Sequence, residues 1–285
     1  MSYNRRRFLQ TTGLAAAGTL LAGNKLFASE NKALKDFGIQ LWTLRDVIGG
    51  DPKGILKQLA SYGYTQIESF EGPQGIFWGM SPSEFKNYTG DLGMKMISSH
   101  CNIENDFEKK AADAASIGMK YLICPYLGPQ KTIDDFKRKI DVFNKCGDIC
   151  KKNGIRFAYH NHDYSFKELE GQIPQDVMMQ NTNADTVDFE MDMYWVVTAG
   201  VDPIAYMSKY KNRFRLCHVK DREKNATGGD ASCILGEGSI NYATILKSAR
   251  KYGMKYFIVE QEKYTNSTPM ESAKADAMYM KAVTV

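Results

Sequence analysis

All four histidines of this 285-residue chain stand at the ends of short apolar runs, close to carboxylates. His100 ends one run, His160 and His162 end another, and His218 ends a third. A single histidine in such a place is more often a hydrogen-bonded structural residue than a ligand. Here all four histidines lie at the ends of such runs, which would form one edge of a sheet, and a metal site explains this better. Imidazole and carboxylate together suit a borderline or hard divalent ion such as Mn, Mg, Co or Zn.

Acidic residues repeat the pattern of the histidines. The acids that end strand-like runs are Glu68, Glu190, Asp192, Glu260 and Glu262. Residues two apart on a strand face the same side, so the last four form two same-face pairs. His160 with His162 and His218 with Lys220 form two more. We expect one member of a pair to hold a metal ion while its neighbour faces a substrate.

Eight short apolar runs must position these side chains. The runs are 37–41, 65–70, 95–100, 121–125, 156–160, 187–192, 214–220 and 256–261. Helical spacing occurs between them, for example in 52–62, 81–92, 107–117, 133–153, 203–211 and 242–252. Several of these segments end on a glycine just before the next run, as at Gly63 and Gly154, and glycine closes a helix in the left-handed conformation.

Alternating strands and helices predict a mainly parallel sheet. Eight units in about 250 residues, with no linker between them, favour a single (β/α)8 TIM barrel over an open sheet. The first run is not followed by a Gly-x-Gly-x-x-Gly turn, which disfavours a dinucleotide-binding fold. The active site of such a barrel lies at the C-terminal ends of its strands, where the histidines and acids are expected.

The first 28 residues are interpreted as a signal peptide, which leaves residues 29–285 as one barrel domain. Three arginines, Arg5 to Arg7, precede Phe8 and Leu9, a short apolar run follows, and Ala28 stands at the exit. This order resembles a twin-arginine leader, which is an address rather than an anchor. We therefore expect a periplasmic or otherwise exported protein that is not held in a membrane after the leader is removed.

The positive charge of the chain belongs mostly to this leader. The chain has 37 Lys and Arg against 33 Asp and Glu, and four of the basic residues lie within residues 1–28. The remaining chain is balanced, and a nucleic-acid partner, which requires a basic surface, is not expected. The sequence is compatible with a homo-oligomer but does not specify one.

Six cysteines in an exported chain would usually suggest disulfides. Cys101, Cys124 and Cys217 lie in or beside strand-like runs, and Cys146 and Cys150 are four apart in a helical segment. Buried cysteine behaves as a small hydrophobic residue, so this placement favours free buried thiols. A twin-arginine route would agree, because it exports chains already folded in the reducing cytoplasm.

Several motifs, in order along the chain, carry a resemblance to a known family. They are GIQLWTLRD at 38–46, YHNHD at 159–163, DMYW at 192–195, AGVDP at 199–203, HVKD at 218–221, LGEG at 235–238 and VEQ at 259–261. The sequence resembles the xylose-isomerase-like sugar isomerase/epimerase superfamily. That superfamily includes xylose isomerases, ketose 3-epimerases, inosose dehydratases and, more distantly, endonuclease IV. The resemblance implies a metal-dependent barrel enzyme whose partner is a small-molecule carbohydrate.

The resemblance also implies a ligand set for one divalent metal ion. Ketose epimerases of this superfamily hold the ion with a Glu, an Asp, a His and a second Glu from strand ends. Asp192, His218 and Glu260 match the last three positions, and His160 falls on the first. Those epimerases use their two metal-bound glutamates as paired bases, so His160 is a departure from their pattern. A histidine-rich fifth strand is similar to the inosose dehydratase branch.

Further roles follow from position at the strand ends. The expected catalytic groups are Glu260, His160 and Lys220, and Lys220 either donates to a substrate carbonyl or pairs with a rim acid. The expected substrate-binding residues are Glu68, His100, His162, Glu190, Trp195 and Glu262, with a barrel-interior or rim charge as the alternative role of Glu190 and Glu262. The aromatic residues near the same rim are Trp42, Phe70, Trp78 and Trp195, which either stack on a sugar face or, more commonly for a single aromatic residue, pack in the core.

The chemistry that this set supports is metal-assisted proton abstraction next to a carbonyl. The first expectation is a carbohydrate isomerase or epimerase. The alternative is a metal-dependent lyase, dehydratase or hydrolase of keto-glycosides or inososes. Export and the lack of an Arg/Lys cluster at the strand ends argue against a sugar phosphate. An abasic-site endonuclease would need more histidines and a basic face, and a non-catalytic sugar-binding protein is the remaining alternative.

Overall fold

The computed structural model describes residues 34–284, and these residues contain a closed barrel of eight parallel strands. The barrel strands are β1 (Gly38–Gln40), β2 (Gln66–Phe70), β3 (Lys95–His100), β4 (Tyr121–Cys124), β5 (Arg156–His160), β6 (Val187–Asp192), β7 (Phe214–Val219) and β10 (Tyr256–Val259). They follow one another around the barrel in chain order, and β10 closes it by pairing with β1. The predicted (β/α)8 fold is confirmed.

Helices connect the strands. They are α1 (Pro52–Tyr62), α2 (Pro82–Asp91), α3 (Phe107–Ile117), α4 (Ile133–Lys152), α5 (Pro174–Asn181), α6 (Met193–Thr198), α7 (Pro203–Lys209), α8 (Tyr242–Lys251) and α9 (Pro269–Ala282). A separate antiparallel hairpin, β8 (Asp221–Arg222) with β9 (Ser232–Cys233), lies between β7 and α8. Short 3-10 turns follow β1 (Leu41–Leu44) and β5 (Asp163–Phe166).

Local sequence signals explain where these helices begin and end. Asp51, Ser81 and Thr268 accept backbone N–H groups as N-caps, and each is followed by a proline in the first turn. Gly63 and Gly118 take φ values of 98° and 86° past the ends of α1 and α3, as the pattern predicts. Helices α5, α6 and α9 and the hairpin are not among the segments that the apolar pattern identified.

The two faces of each strand serve different layers of the molecule. Outward residues such as Phe157 on β5 and Cys217 on β7 pack in the main core under the helices. A small apolar cluster comprises Tyr121, Ile123, Ala158 and Leu216. Its members alternate with these outward positions, so they face the barrel interior, which continues into a polar layer at the C-terminal strand ends.

Two strand irregularities adjust this polar layer. The pairing of β2 with β3 shifts between Ile67 and Glu68, and the pairing of β6 with β7 shifts between Phe189 and Glu190. Bulges re-aim the side chains beside them and are common next to active sites. Each irregularity comes directly before a buried glutamate, Glu68 or Glu190, whose side chain faces the barrel interior. The local strand register therefore determines where both carboxylates lie.

Gly38 shows how closely the strands approach inside the barrel. A Cβ at this position would lie 2.6 Å from the Ile258 side chain and 3.1 Å from that of Gln66. Only glycine fits between these neighbours on β10 and β2.

Other predictions depend on the same range of residues. All six cysteines are free, and five of them are buried, which confirms the expectation of free thiols. Within residues 34–284 no helix has the length and apolar character needed to cross a membrane. The predicted leader, residues 1–28, lies outside the described residues and stays a prediction.

Candidate active site

The C-terminal strand ends gather most of the predicted site residues into one connected network. Its members are Glu68, His100, His160, Glu190, Asp192, His218, Lys220, Glu260 and Glu262, and all but Glu262 are buried. Within the described residues, two groups have ligand atoms within 4.8 Å of one another. One is His100, His160, Glu190 and His218, and the other is Asp192, His218 and Glu260.

The second group fits a divalent cation by the chemistry of its donors. Glu260 Oε2 lies 3.1 Å from His218 Nδ1, and Asp192 Oδ2 lies 3.7 Å from the same nitrogen. His160 Nε2 lies 3.7 Å from Asp192 Oδ2 on the other side. Two carboxylates and two imidazoles converging at these distances match the ligands that Zn and Mn take in proteins. Asp192 Oδ2 is buried and accepts no hydrogen bond of good geometry, and the cation beside it is the Lys220 ammonium at 2.9 Å. A carboxylate oxygen has two lone pairs, so it can also take a metal ion.

Asp192 is held in place from two elements. Its Oδ1 accepts the N–H of Trp195 at the start of α6, which directs Oδ2 toward the cluster. Asn161, directly after β5, is fully buried and exchanges two hydrogen bonds of 3.2 Å with the backbone of Asp192. The end of β6 is therefore locked to the end of β5.

His218 contacts both groups with different nitrogens. Its Nε2 lies 2.6 Å from Glu68 Oε1, while Nδ1 faces Asp192 and Glu260. Glu68 is fully buried and also accepts hydrogen bonds from Gln40 Nε2 at 2.8 Å and from Ser98 Oγ at 2.6 Å. A carboxylate that takes the outer N–H of a ligand histidine fixes its tautomer and orientation. Glu68 is placed for that task.

Glu190 connects two other histidines beneath the cavity. Its Oε2 lies 2.9 Å from His100 Nε2 and 3.1 Å from His160 Nδ1. Burial and the charge of Glu68 raise the pKa of Glu190 to about 7. Burial also raises the pKa of Glu68, but His100 and His218 outweigh it and hold this pKa at about 2. The two glutamates thus differ in their affinity for a proton.

Lys220 is a buried ammonium among three carboxylates. Its Nζ lies 2.9 Å from Asp192 Oδ2, 2.9 Å from Glu260 Oε2 and 2.8 Å from Glu262 Oε2. Burial lowers the pKa of Lys220, but these charges outweigh it and the pKa is raised. The contact with Asp192 has the distance of an ion pair without the angle of a hydrogen bond. The ring of Trp195 lies 5.2 Å from Nζ and completes the surroundings of this cation.

The predicted base, Glu260, is ionised by its neighbours. Burial raises the pKa of Glu260, but the charges of Lys220 and His218 outweigh it and hold this pKa well below its usual range. Burial and the charge of Lys220 lower the pKa of His162 to about 4, and burial and His218 lower that of His160. His100 differs, because Glu68 and Glu190 overcome the effect of burial and raise its pKa.

A cavity of about 590 Å³ opens above the network. Its lining residues are Trp42, Phe70, Glu71, His100, Cys101, Asn102, Pro125, Tyr126, His160, His162, Trp195, Lys220, Glu260 and Glu262. Lys220 is the one Lys or Arg among these described lining residues, and carboxylates already hold it. Another cavity, of about 870 Å³, lies at the opposite end of the barrel near the start of β3, away from the histidines.

The cavity separates the predicted site residues into two sets. His100, His162, Trp195 and Glu262 line it and can meet a substrate directly. Glu68 and Glu190 are fully buried below it, so their positions favour internal roles over the substrate contacts predicted for them. Trp78, expected near the rim, is also buried, and its Nε1 donates to Ser69 at 3.0 Å.

Other lining residues were not evident from the sequence. Glu71, Asn102 and Tyr126 each follow a barrel strand by one or two residues, the same positional signal that identified the histidines. Asn102 and Tyr126 lack the ligand chemistry that identified the other strand ends, whereas Glu71 is a carboxylate three residues after Glu68, the acid that the pattern identified on that strand. A search of the sequence for any polar or aromatic residue one or two positions after a strand would have identified all three.

This arrangement of metal-type ligands at the strand ends of a parallel barrel agrees with a comparison of the whole chain. Residues 56–283 match the family described as xylose isomerase-like TIM barrel. The chain belongs to the xylose isomerase-like TIM barrel family. Membership establishes the architecture and places the chain in an enzyme superfamily.

Within the xylose isomerase-like TIM barrel family, the chain is similar to inosose dehydratases. It is 25% identical over 170 residues to inosose dehydratase of Lacticaseibacillus casei, a match that covers 54% of this chain and 56% of that one. The match therefore spans little more than half the length of this curated relative.

Solved structures give two further comparisons. A sugar phosphate isomerase/epimerase from Parabacteroides distasonis is 29% identical with a TM-score of 0.75, and the match covers 89% of this chain and 96% of that one. An IolI protein with a bound zinc atom is 16% identical with a TM-score of 0.70, covering 85% and 95% of the two chains. The latter likeness shows the fold alone.

Proposed function

We propose that this protein is a metal-dependent carbon–oxygen lyase that acts on a neutral keto-carbohydrate, a keto-glycoside or an inosose. The observation that carries the proposal is the asymmetry of the cavity. One wall holds a single carboxylate of the proposed ligand set, Glu260. His160 stands where ketose 3-epimerases have the first of their two metal-binding glutamates. His100 and His162 also line the cavity as imidazole acid–base groups, while the second carboxylate of the network on the lining, Glu262, is paired with Lys220 at 2.8 Å. A pair of unlike groups suits elimination better than the two like bases of a 3-epimerase.

The proposed ligands are His160, Asp192, His218 and Glu260. A divalent ion held by them would supply positive charge beside the carbonyl oxygen and the neighbouring hydroxyl of a substrate. The similar IolI protein is described with a bound zinc atom, which agrees with a metal site at these strand ends.

The chain's own residues divide the remaining work. Glu260 removes the proton from the carbon next to the carbonyl, since it is ionised and borders the cavity. The electron pair released forms a double bond to the β-carbon as its carbon–oxygen bond breaks. The departing oxygen takes a proton from an imidazole, and His100 is the candidate, because it lines the cavity and Glu68 and Glu190 raise its pKa. Lys220 donates to the substrate carbonyl or enolate oxygen.

The lining also favours a substrate without phosphate. Recognition of a phosphate usually requires an Arg or Lys fork with free donors. Among the described lining residues Lys220 is the one such cation, and Glu260 and Glu262 take two of its three donors, so it can offer a substrate one hydrogen bond and not a fork. A neutral sugar also agrees with our proposal that the leader exports the protein, because phosphorylated sugars are scarce outside the cytoplasm.

A sugar isomerase or epimerase is the second candidate. The Parabacteroides distasonis structure, described as a sugar phosphate isomerase/epimerase, is the specific observation in its favour. Both reactions begin with the same proton abstraction. They differ in whether the proton returns or a β-substituent leaves.

An assay of both substrate classes tests the proposal. With Mn or Zn added, a 3-keto-glycoside or an inosose should lose its substituent or water, while free ketoses in deuterated water should neither take up deuterium nor interconvert. The metal-stripped protein is the control and should be inactive. Deuterium uptake by a ketose together with inert keto-glycosides and inososes would replace the lyase by the isomerase. Inertness toward both classes with metal bound would point to a sugar-binding protein.

A further inference from the structure

The cavity has two halves with different chemistry. The proposed metal ligands come from four neighbouring strands of the barrel, β5, β6, β7 and β10. The cavity also extends over the ends of β1 to β4, where its walls are Trp42, Phe70, Glu71, Asn102 and Tyr126. None of these residues belongs to either group of candidate ligands within the described residues. This half is available to a part of the substrate that does not react.

Two aromatic rings at this half are open to solvent. Trp42 is 39% exposed and Tyr126 is 57% exposed, and the other large hydrophobic residues with comparable exposure in the described chain are Val47 and Met278. Exposed apolar side chains in a concave surface are typical of ligand-binding grooves. An aromatic ring also offers an apolar face together with little conformational freedom to lose on binding.

Both rings are fixed by neighbouring aromatic groups. Trp42 packs edge-to-face on Phe70 at 4.9 Å between centroids. Tyr126 makes edge contacts with His162 at 5.0 Å and with Tyr164 at 5.6 Å. A ring that is already ordered costs little entropy when a ligand packs on it. The contact of Tyr126 with His162 also connects this half of the cavity to the reacting half.

Polar groups for sugar hydroxyls stand beside these rings. Glu71 Oε2 is held by Lys110 Nζ at 2.8 Å and by the N–H of Asn102 at 2.7 Å. The carboxylate is therefore oriented, and Glu71 lines the cavity as an acceptor. The Asn102 side-chain oxygen accepts the N–H of Glu104, which leaves its amide N–H₂ to donate. Aromatic surface combined with one acceptor and one donor suits a neutral sugar ring.

We propose that the β1–β4 half of the cavity is a second carbohydrate subsite, with Trp42 and Tyr126 as its aromatic walls. The substrate is then a glycoside with at least two rings, of which one reacts at the metal and the other is held here. The inference rests on the proposed function for the reacting ring, but its own residues lie outside that machinery.

A matched pair of ligands tests the subsite. The 3-keto derivatives of a glucose disaccharide and of methyl glucoside have the same bond to break and differ in the second ring. Calorimetric affinities of the two unoxidised sugars, together with kcat/KM for the keto forms, should favour the disaccharide by about 10-fold or more. The variants Trp42→Ala and Tyr126→Ala should each lower the disaccharide values far more than the methyl glucoside values, so that most of this preference is lost.

Met278→Ala is the matched control, since it removes an exposed apolar side chain from α9 on the outside of the barrel. It should keep the full preference, and thermal melting should confirm that all three variants fold. Equal affinity for the two sugars, or a preference that survives both aromatic substitutions, would overturn the subsite. Disaccharide preference without cleavage of either keto form would instead overturn the lyase and leave the subsite standing.

Discussion

The ionisable residues at the strand ends have different surroundings, and these surroundings give neighbouring residues different roles. Glu260 and Glu262 both contact Lys220, yet Glu260 is buried beside His218 while Glu262 is partly exposed at the cavity edge. Ser232 of the hairpin fixes Glu262 by accepting its backbone N–H at 3.0 Å. Glu260 is therefore placed as an internal base, and Glu262 as a group at the rim of the cavity.

Glu260→Gln should lower kcat/KM by about 100-fold or more, because it keeps an oxygen ligand but removes the base. Glu262→Gln should act more mildly, mainly on KM, because its carboxylate contacts Lys220 and borders the cavity. Steady-state kinetics on the cleaved keto-glycoside measure both. If the larger loss belonged to Glu262→Gln, the base would be assigned to the wrong glutamate.

Glu68 is expected to act on the metal through His218. Glu68→Gln exchanges one acceptor oxygen for a donor among Gln40, Ser98 and His218, so His218 loses its fixed orientation. Affinity for Zn or Mn, measured by competition with a chelator, should fall by roughly 10- to 100-fold. Glu71→Gln is the control, since it borders the same cavity away from the candidate ligands, and it should bind the ion normally. If Glu68→Gln bound the metal ion with unchanged affinity, Glu68 would have a packing role and would not orient His218.

At the scale of elements, the loops after the strands are tied to the barrel by buried side chains. Asp221 accepts the N–H groups of Gly236 and Gly238 with one oxygen and that of Ile240 with the other. Tyr242 on α8 both accepts the N–H of Lys220 and donates to its carbonyl. The segment that carries Lys220 is thus fixed from both sides, which pre-organises its ammonium.

Two helical glycines test how tightly the helices pack on the barrel. A Cβ at Gly147 of α4 would lie 2.6 Å from Thr186 Oγ1 and 3.0 Å from Val187 Cγ2, whereas a Cβ at Gly90 of α2 meets nothing within 4 Å. Gly147→Ala should therefore destabilise the fold by about 1–3 kcal/mol through overpacking. Gly90→Ala should stabilise it by about 0.5 kcal/mol through helix propensity. Urea midpoints measure both, and equal effects would contradict the close packing of α4 on β6.

At the scale of the whole molecule, most buried charge is concentrated at one end of the barrel, and Asp276 on α9 is a separate case. Its Oδ1 accepts the N–H of Leu235 at 2.8 Å, while Oδ2 is buried without a partner. Burial raises the pKa of Asp276 to about 8, although the bond from Leu235 opposes it and Asp221 adds to it. The folded state therefore keeps a proton that the unfolded chain releases near its ordinary pKa of about 3.9.

This difference fixes the sign of a pH dependence. The contribution of Asp276 to stability is full below about pH 4 and is lost as the pH rises toward about 8. Asp276→Asn stays neutral, so its Tm relative to wild type should rise between pH 5 and pH 8. A gain of about 4 °C or more is expected, because about 1–2 kcal/mol shifts Tm by that amount in a chain of this size. A Tm difference that does not change with pH would contradict the buried proton.

The sequence by itself determined the barrel and its polar rim. The bounds of β3, β5 and β6 and of α1 and α3 agree with the predicted segments residue for residue. These features depend on local physics, namely apolar runs, alternation along a strand and capping residues, which are readable without neighbours. Strand-end position also led to His160, Asp192, His218 and Glu260, whose side chains lie within 3.1–3.7 Å of a neighbour in this set.

Only the tertiary structure decided how deep each of these side chains lies. Alternation tells which face a residue occupies, but its height in the barrel depends on the stagger between strands. The irregular pairings beside Glu68 and Glu190 place both glutamates below the cavity, where they contact histidines, while His100 and Glu262 border it. Tyr126 and Glu71 became candidates for the same reason, because chain closure brings the ends of β1 to β4 over a shared space that no single segment encodes.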